Sequence, residues 1–518
     1  MSTISWVGGT HGLWSTASHW SGDQVPVAGD DVFIGAGDAI TIGVAAAAAD
    51  ITLGAGSSLI VESTLDVSGT LAGGTVRLAG GTVDLANNAT LDGVSWVGTL
   101  AVTDGETLNV AGGLHVAGPG GTVGTIELQG AYHATSVLVD DSEVWNHETV
   151  VGNAEINENG AVSSDTLTLG RDETVISPAT TGFVNFVGYN GSTNSHTTTE
   201  NLGLIIDDDN VGFAFGTFDN SGTIQIGPGA LANPFEETFR STGLIEAVGG
   251  GTGTFSTYYG GNPDGSDITN FSAATGALNG GTWEAGTGST LDLQLSGVIA
   301  RENALVVLNG PAAAIQSWNA GTSAWQSIAD TVTSIGGTVE LLAAANWESA
   351  GKLTVGGTVT LDGGTLSATG GLAIDGTALI SGFGTVLAGS HPVFLNAALR
   401  AAGGLLDIGA PLVGSGALEI AAGASLELGS GASATATFGG IATLLLDHPK
   451  LFTGALAGVV AGDVLVLGST DASGVMLSGG TLTVGITGGH PEHFAVTGSA
   501  TGASFIHSGV NTVVTFAG

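Results

Sequence analysis

KLTVGGTVTLDGGTLSATGGLAIDGTALISGFGTV, residues 352–386, carries glycine pairs at Gly356-Gly357, Gly363-Gly364 and Gly370-Gly371, seven residues apart each time. Between the pairs, apolar residues alternate: Leu353/Val355, Val359/Leu361, Leu366, Leu372/Ile374. Alternation with period two buries one face of a strand. Glycine pairs supply the positive φ values that turn a chain at little steric cost. The turns come too often for ordinary strands of about five or six residues. They suit a coil in which each short strand stacks on its counterpart one turn later, a β-solenoid.

The same grammar recurs at residues 73–93, where Gly73-Gly74, Gly80-Gly81 and Asn87-Asn88 keep the seven-residue step. Asn in place of Gly fits, because Asn tolerates the left-handed region better than most residues. A short period of this kind signals a repeat architecture, in which stacking builds the core. With three strands a turn, a rung takes about 20 residues, so the chain has room for roughly 25 rungs before caps and an insert are subtracted. The turn spacing drifts instead of keeping a strict hexapeptide, which predicts a right-handed parallel β-helix, all-β and elongated.

Length alone would predict several domains in 518 residues, a prior that solenoids escape. Ninety glycines without an every-third period, and only 11 prolines, exclude collagen. With 43% hydrophobic and 10% charged residues, the composition argues against disorder. Seven Lys plus Arg against 46 Asp plus Glu give a net charge of −39. Such a surface repels nucleic acid and anionic membranes and attracts divalent cations. There is no cysteine, hence no disulfide framework. No apolar run of about 18 residues is present, which predicts no transmembrane helix. Residues 1–20 show no basic region followed by an apolar run, so no cleaved N-terminal signal peptide is expected.

Residues 1–35 concentrate Trp6, Trp14 and Trp20, one third of the nine tryptophans. Bulky aromatics over a first rung would cover unpaired strand edges, so this segment reads as an N-terminal cap. A carbohydrate-stacking face is the other use of such residues. The spaced tryptophans, followed by Val25-Pro26 and Asp30-Asp31, resemble the opening of β-strand-repeat adhesins and autotransporter-like passengers. The resemblance implies an architecture and not a ligand.

The chain then divides into solenoid over 36–178, an aromatic and acidic insert over 179–275, solenoid again over 276–443 and a C-terminal cap over 444–518. The insert holds over half of the Phe and Tyr residues and the acidic run Asp207-Asp208-Asp209. Within it FDNSGTIQIG (218–227) and FRSTGLIEA (239–247) resemble repeats of haemagglutinin-like β-helices. A short helix is expected near 323–331. Trp318, Trp325 and Trp347 read as rung or loop fillers. Beyond residue 444, Asp447, Pro449, Phe452, Gly454, Gly458, Gly462 and Asp463 resemble the closing pattern of bacterial type I secretion substrates, particularly α-proteobacterial repeat proteins. That resemblance implies export by this route. The missing G-G-x-G-x-D nonapeptides leave a calcium roll without support.

A glycosidase needs two carboxylates facing across a groove. Asp207, Asp208, Asp209, Asp219, Glu236 and Glu237 are the candidates, though sequence spacing cannot show convergence across rungs. Lys and Arg are too few there for a polysaccharide lyase. Asp207, Asp208 and Asp209, with Asp264 and Asp267, offer the oxygen ligands that Ca2+ prefers, without an EF-hand pattern; a solvated acidic loop is the plainer reading. His490-Pro491-Glu492-His493 departs from the zinc motif H-E-x-x-H, and no G-x-S-x-G elbow is present.

These readings predict no enzyme. They predict a secreted, non-catalytic cell-surface or extracellular-matrix protein: an adhesin, or a layer or filament subunit of a biofilm matrix. Its partners would be further copies of itself, head-to-tail or lateral, or a surface polysaccharide. A β-helical polysaccharide-active enzyme, or a carbohydrate-binding protein using the 179–275 insert, is the competing reading.

Overall fold

The computed structural model describes residues 2–130, 135–139, 142–146, 148–158, 165–179, 183–188, 197–235, 238–259, 262–263 and 267–518. The chain is nearly all β, with 2% helix, and forms a parallel β-solenoid of about 19 turns. It divides into two compact units, Met1–Ala247 with Thr252–Thr269, and Val248–Gly251 with Asn270–Gly518.

In the first unit a turn carries three short strands, each paired in parallel with its counterpart in the next turn. Ile4, Val32, Ile51, Leu71 and Leu91 are successive partners on one face, and all five point into the coil and are buried. Each such side chain contributes about 1.5–3 kcal/mol by leaving water, and no single turn could bury its own row.

The second unit repeats the arrangement with aliphatic rows. Leu353, Leu372, Val393 and Leu412 form one register line, and Val359, Ile380, Leu399 and Leu418 a second. The numbers give a turn of about 20 residues, as the alternation predicts. Glycine works differently from the expectation in part. Gly363 (φ +78°) and Gly371 (φ +108°) do use the left-handed region. Gly357 does not; a Cβ there would lie 2.0 Å from the carbonyl oxygen of Gly337 in the preceding turn, so close stacking demands it. Gly363-Gly364 also bends a continuous strand, Thr358–Ala368, instead of separating two. The short helix is present at Ile328–Thr331, after a hairpin that packs Trp318 against Trp325.

The stretch 179–275 differs from the expected insert. Its described residues from 183 to 256 take full coil turns, with Phe183–Val187, Asn210–Ala214 and Leu231–Phe235 in parallel register. Five Phe rings of this stretch face inward. Phe186, Phe213, Phe218, Phe239 and Phe255 are buried and in mutual contact, with Phe213 and Phe218 centroids 4.2 Å apart. An asparagine row runs beside them: Asn201 Nδ2 donates to Asn220 Oδ1 (2.8 Å), and Asn220 Nδ2 to Ser241 Oγ (3.0 Å). Buried amides satisfied along the stack stitch turn to turn.

Antiparallel segments run beside two strands. Trp20 bridges Trp6, and the Ser21 amide donates to the Ser5 carbonyl. In the second unit Asn511–Ala517 pairs antiparallel with Val464–Leu467, and a meander of Ala472–Ser478, Thr481–Ile486 and Glu492–Gly498 packs beside it.

Candidate functional site

The three tryptophans come together. Trp6 and Trp14 both pack edge-on to Trp20, at 5.0 and 4.8 Å, and all three are buried within the first turn. Trp20 Nε1 donates to the Trp14 carbonyl and Trp6 Nε1 to that of Gly9. Buried rings of this kind offer no open stacking face to a sugar.

The acidic run does not converge. Asp207 ends the strand Leu204–Asp207 and turns inward, fully buried, while Asp208 is exposed and Asp209 half-buried. Asp207 Oδ1 accepts from the Asp209 amide at 3.2 Å, and burial pushes its carboxyl up to about 7. Asp264, Glu236 and Glu237 lie outside the described residues, and Asp267 is described in its backbone alone. Asp219 sits in register between Glu200 and Arg240 and pairs with the Arg240 guanidinium at 2.5 Å. Among the described residues no group of three or more His, Asp or Glu side chains is placed to hold a metal ion. His490 and His493 are exposed. No helix among the described residues is long and apolar enough to cross a membrane.

The pattern residues near the C-terminal end occupy local turns. A 3-10 turn starts at Pro449, Gly458 and Gly462 take positive φ, and Phe452 is buried. Asp463 is buried and accepts from the amides of Val460 (2.7 Å) and Ala442 (2.9 Å). It tethers one turn to the next.

Sequence reasoning missed a set of buried carboxylates. The ladder ending in Ser95–Val97 and His115–Ala117 stops there, and the next strand on that face, Glu143–Trp145, starts another. Carboxylates bridge the gap. Glu143 accepts from the amides of Gly113 (2.8 Å) and Leu114 (3.2 Å), and Glu148 from that of Val116 (2.8 Å), with the exposed His115 Nδ1 at 3.2 Å. Glu173 stacks in register on Glu148 and accepts its amide at 3.0 Å. Burial, then the neighbouring Glu148, holds the Glu173 carboxyl well above the usual range. The only sequence signal is Glu143 and Glu148 at strand starts and Glu173 just before one.

A second interruption leaves an open slot. The three-stranded ladder of Ala46–Ala48, Thr64–Val67 and Thr82–Leu85 ends at Thr82–Leu85, and Thr99–Val102 one turn later belongs to a different ladder. The cause is local. Thr75, Val76 and Arg77 pair with Ser95, Trp96 and Val97, where the upper strand ends; the chain then turns at Gly98 (φ +123°), level with Leu78, the last residue of the lower strand. A Cβ on Gly98 would meet the Leu78 side chain at 3.0 Å. The diverted strand leaves a cavity of about 300 Å³ lined by Val83, Asp84, Leu85, Trp96, Ala101 and Glu106, among others. Val83 and Leu85 are half-exposed, whereas their in-register partners Leu65 and Val67 are fully buried.

No family model matches the chain, and no curated protein matches it.

Proposed function

We propose that the chain is a non-catalytic scaffold displayed at a bacterial cell surface or in the extracellular matrix, where it acts as an adhesin. One observation carries the reading. The inward-facing carboxylates with resolved partners, Glu143, Glu148, Glu302 and Asp463, accept backbone amides of their own or adjoining turns. These four carboxylates are engaged by the coil's own amides, whereas glycoside hydrolysis needs two carboxyl groups free to reach a sugar across a groove. The antiparallel segments beside Thr3–Ser5 and Val464–Leu467 favour copies that stay separate over copies that add edge to edge. In this reading the Trp6, Trp14 and Trp20 cluster and the strand Asn511–Ala517 serve as caps. Calcium acts by relieving the self-repulsion of the −39 charge and not through the Asp207 run.

Protease treatment and antibody labelling of intact producing cells test the placement, with labelling expected before lysis. Labelling only after lysis would remove it. A panel of polysaccharides incubated with the purified chain should release no new reducing ends; release would favour the β-helical enzyme. Sedimentation with calcium and with chelator should give the same single species, and polymers would revive the filament reading.

A further inference from the structure

Beyond the scaffold reading, and independent of it, we propose that the slot between Thr82–Leu85 and Thr99–Val102 is a docking site for an extended, cationic peptide segment of another protein, which adds as a strand to the free edge of Thr82–Leu85.

The backbone makes the first part of the argument. Thr82 and Ala86 donate their amides to the carbonyls of Ser63 and Val67 in the preceding turn, at 3.0 and 2.9 Å. Amides alternate in direction along a parallel strand, so those of Val83 and Leu85 point away from that neighbour, toward the slot. The next strand on this face pairs with Gly124–Gln129 and leaves the Thr82–Leu85 edge open. An open edge with two free amides and their carbonyls is what strand addition uses.

Side chains supply the second part. Val83 and Leu85 are half-exposed at positions that the alternation assigns to the core, and they give alternate apolar contacts to an incoming strand. Trp96 lines the cavity, is 1% exposed, and its Nε1–H has no partner among the described residues.

Charge decides the partner. Asp84 lines the slot with Glu106, and Asp66 stacks in register beneath Asp84. Burial, then Asp66, then Glu106 holds the Asp84 carboxyl above its ordinary value. A lysine or arginine beside it relieves both like-charge terms. A second copy of this chain, with seven basic residues against 46 acidic, is a poor source of that cation. A sugar would stack on an exposed ring, and Trp96 is buried.

The test uses the full chain and a labelled short peptide of alternating valine and lysine, followed by fluorescence anisotropy and amide hydrogen exchange. Binding is expected, with slowed exchange at Val83 and Leu85. Ala101→Phe, on an exposed wall of the slot, should weaken binding by more than about tenfold, and Asp84→Asn with Glu106→Gln by about tenfold at low salt. N-methylation of alternate peptide amides should abolish the exchange protection. Circular dichroism of each variant separates a blocked slot from an unfolded coil. Equal binding of the glutamate-for-lysine peptide, or binding without protection at Val83 and Leu85, overturns the proposal. So does a neutral oligosaccharide that occupies the slot while the peptide does not bind.

Discussion

Residues 197–247 of the first unit and residues 353–428 of the second build the same parallel coil from different interiors. The first fills its cross-section with rings and amides: Phe213, Phe218 and Phe239 in contact, beside the Asn201–Asn220–Ser241 row. The second fills it with Leu, Ile and Val, and lets the chain bend at glycines such as Gly364, Gly382 and Gly384 inside long strands. A coil of about 20 residues per turn therefore tolerates either large side chains with polar stitches or small corners with aliphatic rows. What both share is parallel stacking in register from turn to turn.

The comparison breaks hardest at the aromatic stack. Phe239→Ala should cost about 3–5 kcal/mol, because the ring is fully buried and lies 5.0 Å from Phe255 and 5.7 Å from Phe218. Phe383→Ala, whose ring lies half-exposed over Gly403 and Gly404, should cost roughly 1 kcal/mol. Urea midpoints measured with unit-specific protease cleavage check this pair. A larger loss at Phe383 would mean that the Phe239 region is not packed as coil.

Next comes Gly382→Ala in the glycine-bent region. Its φ is +123°, and a Cβ would sit 1.9 Å from the Leu361 carbonyl oxygen, so a loss of about 3 kcal/mol is expected. Gly376→Ala, at φ +69° with open space around it, should lose only about 1–2 kcal/mol. Equal losses in thermal melts would assign the effect to φ alone and remove close stacking from the account.

Asn220→Ala sharpens the comparison from the polar side. It removes the acceptor of the Asn201 amide and the donor to the Ser241 hydroxyl, both buried, at a cost of about 1–3 kcal/mol. Asn220→Asp at neutral pH should cost more than Ala, since it buries a charge with no cation beside it. If Asp is tolerated as well as Ala, the row is wetter than its burial implies.

The smallest effect is a pH slope. Burial pushes the Glu302 carboxyl up to about 8 and Asp292 to about 6. A carboxyl raised in the folded state binds more protons there than in the unfolded chain. Its contribution to stability is complete below the unfolded value and is lost as pH climbs to the folded one. The second unit should therefore melt lower at pH 8 than at pH 6, and Glu302→Gln, which keeps an acceptor for the Ala304 amide, should flatten that interval. An unchanged slope in the variant would place the titration elsewhere.

Much of the fold was legible because its signals are local. Alternation with period two and glycine at seven-residue steps report on strand faces and corners within a few residues, and Val359, Leu361 and Leu366 did go inside. The stretch 179–275 misled for the same reason. Its rings replace the glycine grammar, and nothing local says that Phe186 and Phe213, or Phe218 and Phe239, are neighbours; register across turns does. The tryptophan cluster was legible as a group, since three large rings close in sequence can scarcely avoid one another. The ligand choice at Asp207 was not legible, because whether the last residue of a strand points in or out depends on which residue begins the next bend.

By itself the sequence determined strand periodicity, the corners, the acidic charge and hence the class of coil, all set within a turn's length of chain. Only the tertiary structure decided where ladders stop. The upper strand ends at Val97, one residue sooner than the lower one, and turns at Gly98 beside Leu78, next to the slot at Thr82–Leu85. Glu143 and Glu148 accept the amides of Gly113, Leu114 and Val116 where His115–Ala117 has no strand above it. Both depend on the mismatch between residues some 20 to 30 positions apart, a relation that stacking creates and no local pattern encodes.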